Sequence, residues 1–85
     1  MAINDDTFTT LGLLWAEGQQ EVFAAQTRHM DRMTNILEHV EEGGMTEADA
    51  HNAARRSYRL LNDRREFLSR YYAQKMSDEL ALWLF

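Results

Sequence analysis

The chain has 85 residues, nine basic and fourteen acidic side chains, a formal net charge of −5, no Cys and no Pro. That is one small domain at most, and the acidic balance argues against a dedicated nucleic-acid binder, which carries a basic excess. The missing Cys removes disulfide scaffolds, thiolate zinc sites and cysteine nucleophiles together, and it suits a reducing compartment, so the expectation is a cytoplasmic protein.

The opening MAINDDTFTT has neither the basic stretch nor the apolar core of a signal peptide. No apolar run in the chain approaches the ~20 residues that cross a bilayer. Ala, Leu, Met, Arg, Glu and Gln are abundant, and helix is favoured almost throughout. The first predicted helix covers about 6–41, with Asn4, Asp5, Asp6 and Thr7 as candidate N-caps. Its apolar stripe reads Phe8, Leu11, Trp15, Val22, Ala25, Met33, Ile36 and Val40, with Leu14, Met30 and Leu37 widening one flank. Those steps are helical, without the alternation of a strand. Gly18 falls on the stripe and Gly12 near its start. Each costs roughly 1 kcal/mol against Ala in a helix interior, which points to the close approach of a neighbouring helix at these positions, or else a kink.

One break divides the chain. Gly43-Gly44 supplies the left-handed residue that ends a helix. Thr46, with Asp49 three residues on, forms the N-cap of the next. The turn is placed at 42–46, and the second helix at about 47–76. Its stripe reads Ala50, Ala54, Tyr58, Leu61, Leu68 and Tyr72, flanked by Leu60, Phe67 and Tyr71. Ser77-Asp78-Glu79 is either a continuation or a new N-cap, and 77–85 is an apolar tail ending in Trp83, Leu84 and Phe85. The expected fold is therefore all-α: a single antiparallel two-helix hairpin over 1–85, whose tail either extends it or closes its end as a short third helix. Two helices cannot enclose a core, so the fold needs completing by oligomerisation, with a homodimeric four-helix bundle as the simplest form, or by a partner.

A tight hairpin sets residue i opposite a residue near 87 − i. Trp15 then meets Tyr72, His29 meets Tyr58, and Met33 meets Ala54. Val22 falls beside Arg65, and Glu17 or Glu21 comes within reach of Arg64 or Arg65 to offset the cost of an arginine on an apolar stripe. His39 and His51 flank the turn among carboxylates, a conceivable metal site, but the spacing matches neither di-iron bundles nor zinc helices, and no metal or other cofactor is expected. Ser57, Ser69 and Ser77 have no histidine beside them in this register. There is no phosphate loop and no nucleophile elbow, so the chain is not read as an enzyme.

Charge is unevenly spread. Residues 1–45 hold eight acids against Arg28 and Arg32, whereas 53–75 hold seven basic residues against Asp63 and Glu66. The leading expectation is a non-enzymatic interaction protein that binds a larger protein to inhibit, chaperone or regulate it. Trp15, Tyr72, Trp83 and Phe85 are its anchors. Asp5, Asp6, Glu17 and Glu21 steer it towards a basic surface, by mimicry of nucleic-acid charge if that surface normally binds nucleic acid. The alternative is a self-assembling helical protein whose Arg55, Arg56 and Arg59 hold the phosphate of a nucleotide or nucleic acid.

Overall fold

The computed structural model describes residues 5–84 and consists of two helices, α1 (Asp5–Glu41) and α2 (Glu47–Leu84), packed antiparallel as a hairpin. The molecule measures 63 × 16 × 12 Å with a radius of gyration of 19.1 Å, against about 12 Å for a compact chain of this length. Asp5, Asp6 and Thr7 lie in the first turn of α1; Asn4 is outside the described residues.

The turn is built by its two glycines. Gly43 takes a φ of +77°, and its N–H donates to the Val40 carbonyl at 3.1 Å while that of Gly44 donates to the His39 carbonyl at 2.9 Å. This pair of bonds is the Schellman arrangement, in which a left-handed residue just past the helix satisfies carbonyls that the helix itself leaves open. Two residues later Thr46 starts α2, its Oγ1 accepting the Asp49 N–H at 3.1 Å, as an N-cap threonine does.

The inward residues recur every eleven positions. On α1 they are Thr7, Gly18, His29 and Val40, interleaved with Leu11, Val22 and Met33 and with Leu14, Ala25 and Ile36. On α2 they are Ala50, Leu61, Tyr72 and Trp83, with Ala54 and Met76, and with Ser57, Leu68 and Glu79; Arg65, the remaining member of the series, is exposed. Eleven residues in three turns is close to the natural pitch of a straight helix, so the two stripes stay in contact without the left-handed coiling that a seven-residue repeat imposes.

This periodicity corrects the expected stripes. Phe8 and Trp15 are exposed, as is Tyr58, while Thr7 and Ser57 are buried; Leu61 and Leu68 are buried as the stripe requires. A step of one residue turns a helix through 100°, so joining Phe8 and Trp15 to Val22 merged two adjacent rows into one. The end of the chain is also settled: α2 runs unbroken through Ser77-Asp78-Glu79 to Leu84, with Gln74 Nε2 donating to Asp78 Oδ1 at 2.8 Å across the junction. No third helix is present among the described residues.

The resulting core is thin. Its fully buried apolar side chains, among the described residues, are Ala25, Leu61 and Leu68. The chain exposes 6762 Å², whereas a compact monomer of its mass exposes about 5,200 Å². A ribbon two helices wide leaves its broad sides in water.

Candidate functional site

The centre of the interface is polar. Ser57, almost wholly buried, lies with its Oγ 2.8 Å from His29 Nδ1 and accepts the Arg32 Nε–H at 2.7 Å. Its one proton goes to Nδ1 when His29 carries its ring proton on Nε2. The expectation that no serine has a histidine beside it is therefore wrong. The chain pairs 29 with 57, one residue short of the expected 29 with 58, and that offset brings the hydroxyl inward. Tyr58 meets the same imidazole edge-on at 6.3 Å between ring centres. Arg32 occupies one lone pair of the hydroxyl. The trio forms a strut between α1 and α2 at the centre of the hairpin.

The register drifts towards the open end, where Tyr72 lies over Gly18. A β-carbon on Gly18 would sit 3.2 Å from the Tyr72 ring, so the glycine marks a close approach rather than a kink. Tyr72 donates to Glu21 Oε2 at 2.9 Å. Desolvation of the phenol, followed by this bond and the nearby charges of Glu21 and Glu17, pushes its pKa up to about 12. Glu21 thus engages a tyrosine, not Arg64 or Arg65. Arg65 is exposed, so it needs no buried partner.

In an antiparallel pair, positions one residue after the inward rows face one broad side of the hairpin, and positions one residue before them face the other. The first side, the front, carries Phe8, Trp15, Phe23, Met30 and Leu37 of α1, each at least 60% exposed. The positions between them are Gly12, Gln19, Gln26 and Thr34. This row has no charge from Phe8 to Leu37, about 44 Å of helix. On α2 the front bears Tyr58 and Leu84 with the small Ser69 and Ala73, and a cleft of 320 Å³ runs there between Trp15 and Gln19 on one wall and Ser69 and Ala73 on the other.

The back is charged, and cations lie over its exposed aromatic rings. Arg64 lies 5.4 Å above the Phe67 ring, and Lys75 5.3 Å above that of Tyr71. Phe67 and Tyr71 stack at 5.8 Å, and Tyr71 meets Tyr72 edge-on at 5.1 Å. Asp6, Glu17, Glu21, Arg28 and Arg32 of α1 and Arg56 of α2 project to this side.

The residues singled out from sequence are therefore dispersed. Trp15 is exposed on the front. Tyr72 and Trp83 are half-buried on the inward row. Asp6, Glu17 and Glu21 lie on the back, the side that further along α1 carries Arg28 and Arg32; Asp5 lies on the outer edge, and Phe85 outside the described residues. Arg55 and Arg59 line a front groove of 540 Å³ with His29, His51, Tyr58 and Asn62; Arg56, one step round the helix, points to the back. His39 Nδ1 lies 2.7 Å from the Asn35 carbonyl of its own helix, and no group of three metal-binding side chains occurs among the described residues. The feature that sequence reasoning missed is the row Phe23, Met30 and Leu37. Its signal was the near-heptad spacing from Phe8 together with the absence of charge between.

No helix among the described residues is long and apolar enough to cross a membrane. Compared with known proteins, the chain matches no family model, no curated protein and no solved structure.

Proposed function

We propose that the protein is a non-enzymatic interaction module, which regulates or chaperones another protein by packing against it. The observation that carries this reading is the uncharged row on the front of α1. Five large apolar side chains stand in water along one side of a helix whose opposite side carries Asp6, Glu17, Glu21, Arg28 and Arg32, and an apolar patch of this size marks a contact surface. Aromatic side chains and Met dominate it, the composition of interface centres. Trp15 remains the strongest of the expected anchors because it is exposed within this row. The acidic residues of α1 serve as a charged margin, because Arg28 and Arg32 share their side of the helix.

A photo-crosslinking residue at Phe23 tests the reading in cells that make the protein. Adducts of discrete mass, lost when Trp15 and Met30 are replaced by Lys, are the expected result. A chain that forms no adduct from the front, or the same adducts from the back at Phe67, has no docking face there.

A second reading is favoured by the front groove, where Arg55, Arg59 and His51 converge beside the Tyr58 ring. A phosphate would find cationic donors there and a nucleobase a stacking surface. The check is titration with a nucleotide. Arg55→Glu abolishes binding on this reading, and Arg56→Glu, on the opposite side, leaves it intact.

A further inference from the structure

We infer that the uncharged front of α1 takes a second copy of this chain, laid antiparallel across it to make a four-helix bundle. The inference rests on reading that face as a docking surface and puts a second copy, in place of a different protein, as the occupant of the row.

The argument is the order of residues along the row. Read forwards it is Phe8, Gly12, Trp15, Gln19, Phe23, Gln26, Met30, Thr34, Leu37. Turned end for end about Phe23, it lies on itself layer by layer. Phe8 meets Leu37 of the second copy, Gly12 meets Thr34, Trp15 meets Met30, Gln19 meets Gln26, and Phe23 meets Phe23. Each of the five large apolar side chains faces an apolar one, and Gly12 faces Thr34. The amides face each other in two symmetry-related layers, and two primary amides satisfy each other's donors and acceptors. A two-fold interface requires such self-complementarity, since each copy offers the same patch to the other.

Orientation follows from volume and charge. Antiparallel layers set a large side chain against a smaller one, Trp15 on Met30 and Phe8 on Leu37, which keeps the bundle even in width. A parallel pair would stack Trp15 on Trp15. It would also place two acidic turns side by side, each holding Glu38, Glu41, Glu42, Glu47 and Asp49 without a Lys or Arg. The antiparallel pair sets these turns at opposite ends of a molecule 63 Å long.

The area suffices. The five row side chains with Tyr58 and Leu84 leave roughly 1,000 Å² of largely apolar surface open per chain, given the 150–250 Å² that a single aromatic side chain can bury. Covering that area on both copies removes about 2,000 Å², the range of stable homodimers. Per chain, that covers about two thirds of the excess of some 1,500 Å² that the hairpin exposes over a compact monomer.

The test is the solution mass of the purified chain by light scattering across a concentration series, from sub-micromolar to near-millimolar. The expected mass is twice the 10.0 kDa of one chain. Phe23→Glu, which puts two carboxylates together on the two-fold axis, raises the dissociation constant at least ~100-fold. Because a monomeric variant can also lose helicity, charge exchange in the amide layers supplies the second readout. A chain carrying Gln19→Lys and Gln26→Lys fails to self-associate, and mixing it with a chain carrying Gln19→Glu and Gln26→Glu restores the dimer. A chain carrying Gln19→Glu and Gln26→Lys dimerises by itself only if the helices run antiparallel. A monomer at every concentration overturns the inference, as does a dimer indifferent to Phe23→Glu and to the double lysine chain; dissociation of the Glu/Lys chain overturns the antiparallel register. A monomer that still gives discrete adducts from Phe23 in cells leaves the interaction-module reading standing and removes the second copy as the occupant. A monomer without adducts removes both.

Discussion

The front and the back of the hairpin are made by the same two helices, and both carry exposed aromatic rings. They differ in what accompanies the rings. On the back, Arg64 and Lys75 lie over Phe67 and Tyr71. The apolar faces are thereby partly covered by alkyl stems and hydrated cations, an arrangement stable in water. On the front, Phe8, Trp15, Phe23, Met30 and Leu37 have only Gly, Gln and Thr between them along the row. Exposure alone does not distinguish a docking surface. Phe67 and Phe23 are both exposed, and the cover supplied by neighbouring charge separates them.

The sharpest way to break this comparison is to put the same charge on each side. Phe23→Glu should abolish association or partner binding, while Phe67→Glu leaves it within about twofold, since surface changes away from a contact usually stay within ~0.5 kcal/mol. Equal losses from both would remove the distinction between the faces.

Between the sides lies the thin core, where the next largest effect is expected. Leu68 is only 2% exposed. Leu68→Ala should cost about 2–5 kcal/mol, from the lost transfer energy and the cavity left behind, read as a fall in the urea midpoint. Ser57→Ala leaves His29 and Arg32 without their shared partner, at about 1–3 kcal/mol. Its denaturation curve, set beside that of wild type, measures the strut directly, and coincident curves would mean that the trio adds nothing to stability.

The two glycines of α1 contrast the front with the interface between the helices, at smaller scale. Nothing lies within 4 Å of a β-carbon on Gly12, whereas one on Gly18 meets the Tyr72 ring. Gly12→Ala should therefore raise stability by up to about 1 kcal/mol through helix propensity, and Gly18→Ala should fail to do so because the ring must give way. Thermal melts of the two variants decide it.

The smallest effect is the response to alkali. The Tyr72 phenol is held above its ordinary value of 10.0, at about 12, by desolvation and by Glu21. A folded-state pKa above the unfolded one means that the contribution is intact below pH 10 and is lost as pH rises through about 12. The tyrosinate absorbance of the wild type should show one phenol titrating late, and Tyr72→Phe should remove that late step. A wild-type curve in which all tyrosines ionise together would contradict the Tyr72–Glu21 bond.

Much of the architecture was legible because it is written in local chemistry. Gly43 is where a left-handed residue must stand, Thr46 is an N-cap by type and position, and a Pro-free chain rich in helix formers has few alternatives to two long helices. Gly18 was also readable, as a gap on a stripe that a neighbour fills. The candidate site was less so. Trp15 was found, but with Tyr72 and Trp83, which the hairpin draws inward, and without Phe23, Met30 and Leu37, which it leaves outside. Hydrophobicity ranks side chains by size, and both rows of α1 hold large ones. Which row faces α2 depends on a 100° rotation that only the packing fixes.

By itself the sequence determined the two helices, the turn between them and the antiparallel pairing, since each follows from backbone propensity and capping within a few residues, while the continuation of α2 to Leu84 came from the structure. The tertiary structure alone decided what depends on phase and register. It turned Ser57 inward to His29 and Arg32, moved Glu21 from an arginine to Tyr72, split Arg56 from Arg55 and Arg59, and left one uncharged row of α1 without cover. These outcomes turn on shifts of one residue or a fraction of a turn. Local propensity is blind at that scale, and steric fit between two helices is not.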